Sequence, residues 1–98
     1  MFVKGRVDGQ PIFKILFDRG AAINIMLYVM YLKLGKGDQD LTKTAMMLKD
    51  FEGNVSPVKG AICVELIIGS KTFPTAFFVI NEKSAYNLLL GRDWIHAN

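Results

Sequence analysis

The sequence predicts a mainly β fold, a small closed or sandwiched barrel with one short helix. Three observations support this expectation. Apolar and polar residues alternate with a period of two in several short segments, and Asp8-Gly9 and Gly69-Ser70 place tight turns between such segments. Helical spacing of apolar residues occurs once, between residues 23 and 34. About seven short strands with one helix are typical of a small β-barrel.

The chain has 98 residues and is expected to form one domain over residues 1–98, because chains this short rarely support two independent cores. Its composition, 51% hydrophobic and 21% charged, is too apolar for a disordered segment. The longest wholly apolar run, residues 25–32, is far below the roughly 20 residues of a membrane-spanning helix, so no membrane span is expected. With no signal sequence and one cysteine, an intracellular, reducing location in the cytoplasm is expected.

The first predicted element is a hairpin. Residues 3–7 alternate small or apolar residues with charged ones, as in a half-buried strand, and Asp8-Gly9 predicts a two-residue turn. The strand returns over residues 12–17 and becomes almost wholly apolar after Lys14. This predicts that its end is covered on both faces.

The next predicted element is a helix. Apolar residues at positions 23, 26, 27, 30 and 34 have helical spacing, and Gly35 follows as a stop. Helix is expected over at least residues 28–34, and a polar loop over residues 35–40. Residues 41–51 are predicted as a further strand, because Thr42 and Thr44 favour strands.

The second half of the chain is predicted to be strands. Residues 58–68 carry apolar side chains on one parity, and Gly69-Ser70 turns the chain into a partner strand at 72–80, where Pro74 indicates an edge or a bulge. A short apolar strand over residues 86–90 ends at Gly91. The residues expected in the core or the cleft wall are Ile12, Ile15, Leu16, Val64, Leu66, Phe77, Val79, Leu88 and Leu90.

The charge pattern argues against a nucleic-acid surface. Twelve Lys and Arg against nine Asp and Glu give a net charge of +3. The cations are spread along the chain with acids between them and form no run. A small basic barrel that binds nucleic acid is therefore a third alternative only, and no dedicated nucleic-acid site is expected.

Residue types exclude several kinds of chemistry. The only histidine is His96 and the only cysteine is Cys63. Neither Ser-His-Asp nor Cys-His catalysis therefore has a plausible base, and no Cys/His zinc site is available. From the usual burial of these residue types, Cys63 is expected to be a buried core thiol and His96 a solvated residue.

One carboxylate lies in a distinctive position. Asp18 follows the apolar strand of residues 12–17 and precedes Gly20 by two positions, and no other Asp-x-Gly occurs in the sequence. Glycine permits a tight loop, and the apolar strand would hold Asp18 in a partly desolvated place. Taken alone, this pattern also fits an ordinary aspartate in a turn.

Two segments, LFDRGAAINIM at residues 16–26 and YNLLLGRDWI at residues 86–95, resemble the signatures of the retropepsin family. These are the aspartic proteases of retroviruses and retrotransposons, and the resemblance is strongest to those of plant gypsy-class long-terminal-repeat elements. The first segment is similar to the active-site loop, and the second to a strand that ends in glycine and crosses behind that loop before a short helix. The resemblance covers nearly the whole chain.

The resemblance implies a retropepsin-like barrel with a flap hairpin, and it assigns roles to residues. Asp18 is then the catalytic aspartate, in an active-site loop that includes Arg19, Gly20 and Ala21. The flap tip over the substrate would consist of Asp50, Phe51, Glu52, Gly53 and Asn54. Structural support of the loop would come from Leu90, Gly91, Arg92 and Asp93.

The resemblance also implies a homodimer that cleaves an extended peptide such as a polyprotein. Aspartic proteolysis uses two carboxylates that share one proton, one to activate water and one to protonate the scissile group. The sequence supplies one suitable carboxylate, so two copies would meet about a two-fold axis with an Asp18 pair at the interface. No metal or organic cofactor is required.

Arg19 departs from the family pattern, in which Ser or Thr follows the catalytic aspartate and hydrogen-bonds across the dimer axis. A guanidinium accepts no hydrogen bond, and two Arg19 side chains would bring cations into a poorly solvated interface. We expect a weak dimer and impaired activity, unless Arg19 turns to solvent or pairs with an acid such as Asp93. The alternative function is a catalytically inactive peptide-binding or dimerisation module with the same barrel.

Overall fold

The structure is a computed structural model that describes residues 2–49 and 52–98. Within these residues it contains seven strands, two short α-helices and one 3₁₀ turn at Asp38–Asp40. The elements are β1 (Phe2–Val7), β2 (Gln10–Phe17), β3 (Ile25–Leu27), α1 (Tyr28–Lys33), β4 (Met47–Lys49), β5 (Val55–Ile68), β6 (Lys71–Ile80), β7 (Leu88–Leu90) and α2 (Arg92–Ala97).

Six of the strands close into a barrel in the order β1-β2-β7-β3-β6-β5, and β5 pairs with β1 again through Leu66 and Val7. The β2–β7 and β3–β6 pairs are parallel, and the other neighbours are antiparallel. Strand β4 pairs only with the first part of β5 and forms a hairpin that projects from the barrel sheet. The predicted fold class, a small closed β-barrel with a flap hairpin, is confirmed.

The first hairpin forms where the sequence predicts it. Asp8 and Gly9 both have positive φ, 49° and 84°, as a two-residue hairpin turn requires. Opposite Lys4, however, β2 carries one residue more than β1, because Val3 pairs with Ile15 and Gly5 with Ile12. This bulge gives Lys14 a φ of 58°. The alternation of side chains in the sequence did not indicate it.

Helix α1 lies within the segment that has helical spacing, and its Tyr31 is fully buried with its hydroxyl donating to the Gly37 carbonyl at 2.8 Å. Apolar spacing indicated one helix, whereas the structure has two. The second, α2, begins directly after Gly91, where the resemblance places a short helix.

The strand predicted over residues 41–51 is shorter than expected. Among residues 41–49, only Met47–Lys49 pairs as a strand, and Thr42 makes an isolated bridge to Ala61. Residues 50 and 51 lie outside the described residues. The β-branched threonines raise strand propensity, but pairing requires a neighbouring strand along the whole segment.

Pro74 lies in the half of β6 that pairs with β5 alone, since β3 reaches only Phe78–Ile80. Its missing N–H therefore faces an open edge, as the sequence predicts.

Cys63 is exposed, so the expectation of a buried thiol is wrong. It lies on β5 between the inward-facing Ile62 and Val64, and its parity is that of the exposed Lys59 and Glu65. The alternation of side chains along β5 therefore places Cys63 on the outer face, although cysteine is usually buried.

The core contains the expected residues except Leu16, which is half-buried, and it includes Met26, Tyr31 and Leu34 from β3 and α1. The end of β2 is not covered on both faces within the single chain, because Phe17 is 44% exposed. In residues 2–49 and 52–98 no helix is long and apolar enough to cross a membrane.

Candidate active-site loop and cleft

Asp18 is positioned by the parallel pairing of β2 with β7. Phe17 lies opposite Leu90, and the N–H of Asp18 donates to the Leu90 carbonyl at 2.9 Å. The pairing therefore continues one residue beyond β2 and fixes the backbone from which the carboxylate projects. Because Leu90 is fully buried, this anchor belongs to the core.

A tight turn then closes around the carboxylate. The N–H of Gly20 donates to Asp18 Oδ1 at 2.9 Å, and the N–H of Ala21 donates to the Asp18 carbonyl at 3.1 Å. No side chain or backbone group among residues 2–49 and 52–98 donates to Asp18 Oδ2, and the residue is half-buried. One carboxylate oxygen is held by the chain, and the other is available to water or to a partner group.

Gly91 allows β7 to cross close behind this loop. A Cβ at position 91 would lie 2.6 Å from the Ile23 carbonyl oxygen and 2.8 Å from that of Ala21. The N–H of Arg92 donates to the same Ala21 carbonyl at 2.7 Å. The Asp18 loop therefore rests directly on the backbone where β7 ends and α2 begins.

Asn24 is a further residue of the site that sequence reasoning missed. Its Oδ1 accepts from the N–H of Gly91 at 2.9 Å, and its Nδ2 donates to the carbonyl of Ala76 in β6 at 3.1 Å. Its own carbonyl accepts from the N–H of Phe78 at 2.9 Å. Asn24 thus joins the loop to β7 and β6. The available signal was a lone polar residue within the apolar run of residues 23–27.

Of the other predicted loop residues, Arg19 and Gly20 are exposed and Ala21 is half-buried. Arg19 is exposed, and no ion pair within the described residues includes it, so the considered Arg19–Asp93 pair is not formed in the single chain. The Arg92 and Asp93 side chains are also exposed, whereas Gly91 is buried with Leu90. Among the four predicted support residues, contact with the loop comes from the backbone of Leu90, Gly91 and Arg92.

The β4–β5 hairpin lies beside a cleft. A cavity of about 220 Å³ between the hairpin and the barrel has an apolar floor and a polar rim. Its lining residues are Ile25, Leu48, Lys49, Ser56, Ile80 and Glu82. Of the predicted flap tip, Glu52, Gly53 and Asn54 lie at the exposed end of the hairpin, and Gly53 has φ 88°. Asp50 and Phe51 lie outside the described residues.

Tyr86 packs beside the cleft. Its ring packs on the cluster of Leu27, Val58 and Ile80. Burial raises the pKa of the Tyr86 phenol, a hydrogen bond with Ser84 opposes this effect, and the negative charges of Glu82 and Asp18 raise it further. Ile80, which the Tyr86 ring contacts, also lines the cleft.

Among residues 2–49 and 52–98, no group of three or more His, Cys, Asp or Glu side chains is close enough together to hold a metal ion. The candidate site consists of the Asp18 carboxylate, with Oδ1 held by one backbone amide, that of Gly20.

The sequence matches no protein-family model and no curated protein. The fold, by contrast, is that of the retropepsin-like aspartic proteases. The structure is similar to a retropepsin-like aspartic protease from Rickettsia conorii, with a TM-score of 0.78 and 20% identity over 100% of this chain and 78% of that chain.

Two further solved structures are similar over 99% of this chain. The retroviral protease-like domain of Ddi1 from Leishmania major has a TM-score of 0.77 and 19% identity, with 75% of that chain covered. The EIAV protease in complex with the inhibitor HBY-793 has a TM-score of 0.77 and 16% identity, with 86% of that chain covered.

Proposed function

We propose that residues 1–98 form an aspartic endopeptidase domain of the retropepsin type, which acts as a homodimer with one Asp18 from each copy. The observation that carries the proposal is the position of Asp18. Its carboxylate projects from the end of a core strand, with Oδ1 held by the Gly20 N–H and Oδ2 without a donor in the described chain. This geometry occurs on a fold shared with retropepsin-like proteases.

The reaction follows from two such carboxylates. At about 3 Å from one another, they cannot both ionise, so the pair retains one proton. The ionised carboxylate removes a proton from water as the water attacks the scissile carbonyl, and the protonated one donates to the carbonyl oxygen. The amide nitrogen then takes up a proton as the carbon–nitrogen bond breaks.

The substrate that fits this site is an extended peptide between the β4–β5 hairpin and the barrel, with an apolar side chain over Ile25, Leu48 and Ile80. We propose residues 50–54 as the flap tip over that peptide. By the resemblance of residues 16–26 and 86–95 to gypsy-class elements, the substrate would be the polyprotein of a plant long-terminal-repeat retrotransposon. The single, exposed and unpaired Cys63 fits a reducing, intracellular location.

Arg19 favours a second candidate function. Two Arg19 side chains would flank the Asp18 pair, where they stabilise ionisation of both carboxylates and so oppose the shared proton. On this basis we propose that catalysis is impaired in this chain. In the extreme case the domain is a catalytically inactive module that binds peptides or dimerises.

Cleavage of an unstructured peptide library at about pH 5 tests the enzyme proposal. We expect Arg19→Ser to cleave at least about tenfold faster than the native chain, since the substitution removes the charge that opposes the shared proton. Asp18→Asn in the Arg19→Ser background is the matched control and should abolish cleavage.

If the folded Arg19→Ser chain cleaves nothing at concentrations where it is dimeric, the enzyme proposal is wrong. Binding of an extended peptide then tests the second candidate, the inactive module. If Asp18→Asn retains the cleavage, the activity belongs to another site or to a contaminant.

A further inference from the structure

A bulge interrupts β2 four residues before Asp18. Phe13 and Lys14 together lie opposite Lys4 of β1, and Lys14 adopts a φ of 58°. This left-handed conformation is unfavourable for a residue with a Cβ, and the bulged residues depart from the regular ladder of hydrogen bonds. The surrounding structure must therefore hold the bulge in place.

Asn87 binds the carbonyls of both bulged residues. Its side-chain Nδ2 donates to the Phe13 carbonyl at 2.9 Å, and its backbone N–H donates to the Lys14 carbonyl at 3.0 Å. Its own carbonyl accepts from the N–H of Leu27 at 3.1 Å. Asn87 is therefore bonded to β2 on one side and to β3 on the other, and its amide side chain is a fixed support for the bulge.

The bulge determines which side chains of β2 enter the core. Ile12 and Ile15 are both buried, although they are three residues apart and would face opposite sides of a regular strand. If the regular pairing continued beyond Ile12, Lys14 would take the buried position of Ile15. Asp18 would then be displaced by about 3.3 Å along β7. The bulge thus allows β2 to bury Ile15 and to end with Asp18 at its observed position.

The bulge lies at one end of a short ladder. Strand β7 has three residues, and its parallel pairing with β2 runs only from Ile15 to Phe17. The N–H of Asp18 closes one end of this ladder by donating to the Leu90 carbonyl, and Asn87 closes the other end at the bulge. The strand end from which the carboxylate projects is therefore held at both ends of the pairing.

We propose that Asn87 is a positioning residue, which clamps the β2 bulge to β7 and so fixes the strand end that carries Asp18. The inference rests on the proposed function in one respect, namely that catalysis requires Asp18 to be placed in this way. The clamp itself is a relationship between two strands, and it is tested without any measurement of cleavage.

Amide hydrogen exchange, followed residue by residue by NMR, tests the clamp. Asn87→Ala keeps the backbone hydrogen bonds of residue 87 and removes only the side-chain bond to Phe13. We expect the Asp18 amide to exchange about fivefold faster or more, because local opening of the β2 end loses one opposing hydrogen bond. The Ala61 amide, which donates to a carbonyl outside the β2–β7 pair, should change by less than about twofold.

Two substitutions of Lys14 test whether Asn87 acts through the bulge. Both Lys14→Gly and Lys14→Ala remove the charged side chain, but only glycine adopts the positive φ without cost. In the Asn87→Ala chain, Lys14→Gly should return the exchange rate of the Asp18 amide to within about twofold of the native rate. Lys14→Ala should leave it fast.

Cleavage kinetics in the Arg19→Ser background test the consequence for catalysis. We expect Asn87→Ala to lower kcat about fivefold or more and to change KM by less than about twofold, because the carboxylate is displaced while the cleft is unchanged. Asn98→Ala, which removes one exposed hydrogen bond to the Trp94 carbonyl, is the matched control and should change neither value.

The inference is overturned if Asn87→Ala leaves exchange of the Asp18 amide unchanged, or speeds exchange at Ala61 equally, since the loss would then be one of global stability. It is likewise overturned if Lys14→Gly and Lys14→Ala have the same effect, or if kcat is unaffected by Asn87→Ala. An Arg19→Ser chain that cleaves nothing rejects the proposed function, and the exchange rates still decide whether Asn87 clamps the bulge.

Discussion

The side-chain carbonyl of Asn24 accepts a hydrogen bond from the backbone N–H of Gly91 at 2.9 Å. Gly91 is buried, so this N–H has no access to water that could replace the bond. The other end of the Asn24 amide donates to the carbonyl of Ala76, and so one side chain joins the Asp18 loop to both strands behind it. The position of the Asp18 loop thus depends on a residue that is six positions further along the chain.

Replacing Asn24 by Ala is expected to lower the free energy of unfolding by about 1–3 kcal/mol, because the Gly91 N–H loses its acceptor without gaining water. Urea unfolding followed by Trp94 fluorescence measures the change. Asn98→Ala is the matched control, since that amide donates only one exposed hydrogen bond, to the Trp94 carbonyl. We expect it to change stability by less than about 0.5 kcal/mol. Equal effects of the two substitutions would contradict the role assigned to Asn24.

Gly91→Ala is expected to destabilise the fold by about 2–3 kcal/mol, because the new Cβ would meet two backbone carbonyls that cannot move without displacing the loop. Gly37→Ala tests whether crowding alone explains such a loss. A Cβ at position 37 would also be crowded, but only by the flexible side-chain end of Gln39. That variant should stay within about 0.5 kcal/mol of the native chain in the same urea experiment.

Asp8 should make stability depend on pH in the acid range. Partial burial alone would raise the pKa of Asp8, but the hydrogen bond from the Glu65 N–H and the Lys36 ammonium at 2.9 Å outweigh it, and the pKa lies below its ordinary value of 3.8. A carboxylate with a lowered pKa in the folded state contributes stability that is present above the unfolded value and is lost as pH falls through the folded one.

Asp8→Asn isolates this effect, because asparagine tolerates the positive φ of the turn and its carbonyl can still accept from Glu65. Between about pH 5 and pH 2, we expect the native chain to lose more unfolding free energy than Asp8→Asn. Thermal unfolding or urea unfolding, without guanidinium salts, measures the unfolding free energy of both chains across this pH range. Parallel curves would show that the Asp8 charge contributes nothing.

Cys63 should react with a thiol reagent in the folded protein, because its side chain is exposed on the outer face of β5. We expect one thiol per chain to be modified without denaturant, at a rate close to that of the unfolded chain. Cys63→Ser should change stability by less than about 0.5 kcal/mol. If Cys63 reacts only after unfolding, its thiol is buried, as the sequence analysis predicts, and the exposed position is contradicted.

The sequence by itself determined the features that depend on near neighbours in the chain. Asp8-Gly9 formed the expected turn, the periodicity before Gly35 gave α1, and the alternation in residues 58–68 gave β5. The Asp-x-Gly pattern also located a carboxylate in a tight turn, since the Gly20 N–H reaches it from two residues away. These features have local causes, because turn residues and the spacing of apolar side chains can be recognised within a few consecutive residues.

The tertiary structure alone decided the contacts between segments that are distant in the chain. The Asn24–Gly91 bond, the closure of β5 onto β1 and the contact of Phe17 with Trp94 each join residues more than 50 positions apart. The bulge at Lys14 and the outward position of Cys63 were likewise set by register against a neighbouring strand. Registers of this kind follow from how the whole barrel buries its apolar faces, and that global balance is not encoded in any single stretch of the chain.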